Sequence, residues 1–191
     1  MKRKTFQIAP PCSLAPVSKS QPIYKGRIVD LRLDEVRLPN GVTVTLEVIR
    51  HPGAAAIVAI DADRAVTLVH QFRHAAGGFL WEIPAGTLEP GEMPFACAAR
   101  ELREEAGLVA QELTPLGSIL TAPGFCDERI HLFLARRLTA TPQQLDHDEV
   151  LTISHIPLVR ALEMIISGEI QDAKTIAGLH HAAAYLRNEA P

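Results

Sequence analysis

Between Gly86 and Gly107 the sequence runs from a glycine-bracketed loop, Gly86-Thr87-Leu88-Glu89-Pro90-Gly91-Glu92, into the helix formers Pro94 to Ala106, which Gly107 closes. Proline suits a first helical turn, whose N–H has no partner there, and glycine readily takes the left-handed conformation after the last turn. On a helix advancing about 100° per residue, Glu101, Glu104 and Glu105 share one face while Arg103 points elsewhere. Like charges at this spacing repel and weaken the helix. A hard cation would offset the repulsion, and Mg²⁺ in particular favours a few carboxylates together with water and substrate phosphates. Arg100, four residues before Glu104, can fix the direction of a carboxylate. Gly86 and Gly91 let the backbone of the loop approach a metal or phosphate closely. The plain alternative is a solvated acidic face. Against it, seven residue types at fixed offsets would coincide by chance in such a chain only roughly once in a million.

The rest of the chain is that of a folded, non-membrane protein. With 191 residues it suffices for one domain or one domain with an appendage, and 47% hydrophobic against 21% charged residues lies far from the disordered range. The net charge of −3, with no basic run after Lys2-Arg3-Lys4, gives no footprint for nucleic acid. Prolines between Phe6 and Ser18 exclude the apolar stretch of a signal peptide, and no apolar segment is long enough to span a membrane. Cys12, Cys97 and Cys126 are odd in number and widely spaced, which argues against a disulfide framework or a zinc site. A reducing cytoplasm is the expected setting.

Residues 1–22, rich in Pro, Ser and Lys, are expected to form a flexible N-terminal arm. Ile28 to Leu38 and Val42 to Ile49 alternate apolar with polar residues around Pro39-Asn40-Gly41, which predicts a β-hairpin within 23–53. A main domain over 54–191 follows. It opens on two nearly continuous apolar runs, Ala54 to Ile60 and Ala65 to Gln71, expected to pair as strands buried on both faces. Further strands are predicted at Leu116 to Leu120, Arg129 to Ala135 and Leu151 to Ile156. Helices are predicted from Pro157 to about Ser167 and from about Asp172 to Asn188.

The spacing Gly86-x5-Glu92-x7-Arg100-Glu101-Leu102-x-Glu104-Glu105-x-Gly107-Leu108 resembles the Nudix box at every position. The resemblance implies an α/β fold, a mixed sheet sandwiched between helices, and a Mg²⁺- or Mn²⁺-dependent pyrophosphohydrolase acting on a nucleoside diphosphate joined to another group. It implies that Glu101 and Glu105 bind metal with the carbonyl of Ala85, that Glu104 assists, and that Glu92 braces the loop. Around the box, Tyr24-Lys25-Gly26-Arg27-Ile28, Gln71-Phe72-Arg73, Trp81-Glu82-Ile83-Pro84-Ala85-Gly86, Ala122-Pro123-Gly124-Phe125 and Asp172-Ala173-Lys174-Thr175 are similar to the ADP-ribose pyrophosphatase branch.

Carried over to these positions, the branch implies Arg73 on the diphosphate, with a surface ion pair as the alternative, and Ala122, Pro123, Gly124 and Glu128 lining the substrate cleft. It also implies a homodimer formed through the N-terminal hairpin, in which Arg27, Ile28 and Glu47 contact the nucleotide of the other subunit. Leu46 departs from the Arg-Glu pair frequent in that branch. The acidic loop Asp146-His147-Asp148-Glu149 matches the one that supplies a catalytic carboxylate there, pointing to Glu149 as the base, with His147 the runner-up and a solubilising loop the plain alternative. His180 and His181 are read as surface or dimer residues, and neither Cys97 nor Cys126 has the partner a nucleophile needs. ADP-ribose, cut to AMP and ribose 5-phosphate, is the expected substrate. ADP-glucose, GDP-mannose or a related nucleotide sugar is the alternative. A non-catalytic nucleotide-sugar sensor is the rival, disfavoured by the complete set of carboxylates.

Overall fold

The computed structural model describes residues 16–189, which fall into two compact units. The first comprises residues 16–52 together with residues 120–129. In it β1 (Val17–Lys25), β2 (Asp30–Arg37) and β3 (Thr43–Arg50) form an antiparallel sheet in that order. β2 and β3 pair in unbroken register from Asp30↔Arg50 to Arg37↔Thr43. The turn between them has Gly41 at φ 86°, as the Asn-Gly pair predicts.

The hairpin is therefore a three-stranded sheet, and the flexible arm expected over residues 1–22 is corrected from Val17 onward. The segment Ser18-Lys19-Ser20-Gln21 carries no hydrophobic period because β1 is exposed along its whole length. It is held by ladder pairs such as Gln21↔Leu33 and by Ser20 Oγ donating to Asp34 at 2.6 Å. The remainder of the expected arm, residues 1–15, lies outside the described residues. Asp34, 1% exposed, is also paired with Arg50, whose other amino group reaches Asp127 at 3.0 Å. The segment 120–129 attaches to the end of β3, where Ile49 N–H donates to the Phe125 carbonyl at 2.7 Å and Asp127 N–H to that of Ile49 at 3.1 Å.

Among the described residues the second unit contains two sheets, three α-helices and a single 3-10 turn at His74–Ala76. β4 (Ala54–Ala59) lies between β7 (Ala85–Thr87) and β9 (Arg129–Ala140), antiparallel to the first and parallel to the second, and β8 (Leu108–Leu120) forms the far edge. β5 (Ala65–Arg73) lies between β10 (Leu151–Pro157) and β6 (Gly78–Glu82), antiparallel to both. The expected pairing of β4 with β5 is thus corrected: they belong to different sheets, and one isolated bridge, Ile60↔Val66, joins β5 to the residue just past β4. A four-residue link of Asp61 to Arg64 gives no sign of this, since a chain can turn in it either within a sheet or from one sheet to another.

Side-chain alternation in β4 assigns its two faces. Ala55, Ile57 and Ala59 pack with Cys97, Ala98 and Leu102 of α1 (Pro94–Ala106). Ala56 and Val58 pack with Leu179, Ala182 and Ala183 of α3 (Ala173–Glu189), beside Ala161 and Met164 of α2 (Leu158–Ser167). A mixed sheet is thus covered by helices on both sides. β8 begins eight residues before the predicted start at Leu116. Pro115 lacks an N–H and disguises the strand, but an edge strand tolerates it.

Candidate active site

α1 places the acidic residues. Pro94 occupies its first turn and Gly107 terminates it at φ 61°, donating to the Arg103 and Leu102 carbonyls. Glu101 and Glu105 face inward, 8% and 3% exposed, while Glu104 is half-buried. A Cβ on Gly86 would overlap the Glu101 carboxylate, so only glycine lets that side chain lie against β7. One turn along, Glu105 Oε2 accepts the Ala85 N–H at 2.8 Å.

Arg100 organises the outer part of the helix face. Its guanidinium donates to both Glu92 oxygens at 2.9 Å, to Glu101 at 2.6 Å, to Glu104 at 3.1 Å and to the Thr87 carbonyl at 3.2 Å. Glu92 in turn accepts the Glu89 N–H at 3.0 Å and so closes the loop on itself. Arg100 and that backbone bond hold the Glu92 carboxyl down at about 2, against the opposing effect of burial.

Burial pushes the Glu105 carboxyl up to about 8, and repulsion from Glu101 and Glu149 adds to the rise. Burial likewise raises Glu101, helped by Glu104 and Glu149 and opposed by Arg100. Glu149 is thereby felt by both buried carboxylates. It is half-buried and accepts the Asp146 N–H at 2.9 Å, which folds the acidic loop into a turn. The His147 side chain is 94% exposed, its Nδ1 3.9 Å from Asp148. Burial, reinforced by Glu101 and Glu92, lifts the Cys97 thiol to about 12, far from a thiolate nucleophile.

Each carboxylate here is turned onto a hydrogen-bond donor, and among the described residues no three metal-binding side chains converge as a ready ligand set. The chemistry of the donors nevertheless fits a hard divalent cation. Carboxylate oxygens and a neighbouring backbone segment are hard donors, and the destabilised charge on Glu101 and Glu105 is what a cation would relieve.

Arg73, at the end of β5, reaches back over its sheet to Glu82 on β6, donating from Nε at 2.9 Å and Nη2 at 2.8 Å. It also acts electrostatically on Glu105. Nothing in the sequence marks a role for Glu82, yet its side chain is 2% exposed and also accepts Lys174 Nζ at 2.6 Å. Lys174 lies 3.1 Å from Asp172, which caps α3 by accepting the Thr175 N–H at 2.9 Å. The one sign in the sequence is a glutamate amid the apolar Phe79-Leu80-Trp81 and Ile83-Pro84; its lysine partner, 92 residues away, is seen only in the fold.

The remaining predicted binding residues fall in the first unit. Ala122, Pro123 and Gly124 form one turn, the Ala122 carbonyl accepting the Phe125 and Cys126 N–H groups at 3.0 and 2.9 Å. Glu128 accepts the Thr121 hydroxyl at 2.8 Å and lies 3.5 Å from His51 Nδ1. Arg27 and Ile28 sit between β1 and β2, and Glu47 stands opposite Leu33 on β3.

Residues 50–179 match the family described as the NUDIX domain. The chain belongs to the Nudix family. Residues 17–49 match the N-terminal domain of nucleoside diphosphate sugar hydrolases, so β1 to β3 have a counterpart among Nudix proteins of that kind. An ADP-ribose pyrophosphatase of Bacillus subtilis is 40% identical over 167 residues, 86% of this chain and 90% of its own. Another, of Mycobacterium tuberculosis, is 43% identical over 163 residues, 84% of this chain and 79% of its own. The fold matches the crystal structure of an ADP compounds hydrolase with a TM-score of 0.79, at 20% identity, covering 92% of this chain and 95% of the other. The chain is thus a Nudix pyrophosphohydrolase, of the kind that uses divalent metal ions.

Proposed function

We propose that the chain hydrolyses ADP-ribose to AMP and ribose 5-phosphate. Similarity to two ADP-ribose pyrophosphatases over most of the chain carries this choice of substrate. Glu101 and Glu105, with the Ala85 carbonyl and assistance from Glu104, would hold Mg²⁺, or Mn²⁺ in its place. The bound cation supplies neutralisation of the diphosphate and acidification of water. Glu149 takes a proton from water as its oxygen attacks phosphorus, one P–O bond of the anhydride breaks, and the leaving phosphate departs with the electron pair. Arg73 orients the diphosphate, and Ala122, Pro123, Gly124 and Glu128 line the substrate cleft.

In this reading the protein is a cytoplasmic homodimer, and Arg27, Ile28 and Glu47 reach the nucleotide held by a second copy. A panel of ADP-ribose, ADP-glucose and GDP-mannose with Mg²⁺, followed by product chromatography, tests the assignment. ADP-ribose is expected to give the highest kcat/KM and equimolar AMP and ribose 5-phosphate. Faster hydrolysis of either other sugar would reassign the substrate.

A further inference from the structure

Arg73 uses only part of its guanidinium on Glu82. Nε and one hydrogen of Nη2 are engaged, whereas Nη1 makes no hydrogen bond among the described residues. The free Nη1/Nη2 edge has the fork geometry that suits two phosphate oxygens. A side chain this long loses rotamer freedom when it binds, unless something has already fixed it. Glu82 provides the fixing point, and Lys174 in turn fixes Glu82.

The order of burial shows which cation is the anchor. The Lys174 side chain is 13% exposed and that of Arg73 41%, so lysine is the inner partner of a carboxylate that is itself 2% exposed. Lys174 is held by Asp172 at 3.1 Å, and Asp172 by the Thr175 hydroxyl at 2.6 Å. The same hydroxyl accepts the Ile83 N–H at 2.8 Å. The first turn of α3 therefore grips the chain at Glu82 and Ile83, just ahead of Ala85. We propose that Lys174 is a positioning residue: through Glu82 it presents the free edge of Arg73 to the substrate diphosphate.

This inference rests on the reading of Arg73 as the diphosphate anchor. Its chemistry depends on Glu82 accepting with both oxygens, because a protonated carboxyl cannot receive the whole fork. Burial works against that ionised state. The hydrogen bonds and charges of Arg73 and Lys174 outweigh it, and the carboxyl lies below its ordinary value. Arg73 alone, the more exposed partner, would be held less firmly.

The test uses Lys174→Met and Lys174→Arg in the full chain. The readouts are kcat and KM for the preferred nucleoside diphosphate sugar, the calorimetric Kd of non-hydrolysable α,β-methylene ADP-ribose, and Tm. Lys174→Met is expected to raise KM and Kd about tenfold to a hundredfold, while kcat changes by less than about threefold and Lys174→Arg recovers most of the affinity. In an Arg73→Gln background Lys174→Met is expected to add little, because the residue it positions is gone. If Lys174→Met does not fold, Lys174→Gln keeps a hydrogen-bond donor without the charge and is expected to show the same KM effect. Unchanged KM and Kd in the folded variant, or the same fold-loss with and without Arg73, overturns the proposal. A wild type inactive on every nucleoside diphosphate sugar would overturn the functional reading as well. An active wild type with an unaffected Lys174 variant overturns this inference alone.

Discussion

Glu105 combines burial, a backbone hydrogen bond from Ala85 and two neighbouring carboxylates, and each has a measurable consequence. Its carboxyl, raised from 4.5 to about 8, keeps a proton in the metal-free folded chain that the unfolded chain has already released. Folding stability is then fully present below the lower value and is lost as pH rises through the higher one. Without metal, Tm should fall as pH is taken from about 5 to about 9, and Glu105→Gln should flatten that slope because an amide does not titrate. Mg²⁺ should raise the wild-type Tm most at the alkaline end, since it binds the ionised carboxylate. The same substitution should lower turnover by orders of magnitude with the fold intact, and near-normal turnover at saturating Mg²⁺ would refute the ligand assignment. For Glu149 the expected loss in kcat of Glu149→Gln is roughly a hundred- to ten-thousandfold with KM little changed. If His147→Ala or Asp148→Asn loses that much instead, another group in the loop is the base. Spacing along one helix is legible in a sequence, which is why Glu101, Glu104, Glu105 and Arg100 could be placed together. The partnership of Glu82 with Lys174 was not, because it depends on how α3 is laid against β6.

At the scale of elements, strong period or strong punctuation made the chain readable. α1 runs from Pro94 to Ala106 as predicted, since proline, glycine and the apolar stripe Cys97, Ala98, Leu102 all point to one helix. β1 has no such stripe and was missed, and β8 was shortened by Pro115 and by Gly117, whose φ is 120°. The pairing of β4 and β5 failed for a different reason: a buried strand reads the same whichever sheet receives it. The N-terminal sheet yields a prediction of its own. β1 is exposed throughout, and Tyr24, Ile28 and Leu46 are exposed apolar side chains of the same unit. Three small strands bury little apolar surface, so a second copy is expected to stabilise them. Light scattering at micromolar concentration should give a dimer, and deletion of residues 1–50 should abolish activity while every box residue remains. A fully active monomer would refute this.

For the whole molecule, the feature with the widest reach is the smallest. Residues 55 to 59 of β4 are all fully buried, and its alanines fall where the chemistry is held: Ala55 lies opposite Gly86 and Ala56 opposite Ala85. On one face rides the helix of Glu101 and Glu105, and on the other the helix that begins beside Lys174. β4 is in effect a shim between the two, and its thickness is set by methyl groups. Ala55→Val should cost about 1–3 kcal/mol in stability. Its larger effect should be on alignment. By lifting α1 from the sheet it would lengthen the 2.8 Å reach from the Ala85 N–H to Glu105, detuning the metal-binding face with no acidic or basic residue altered.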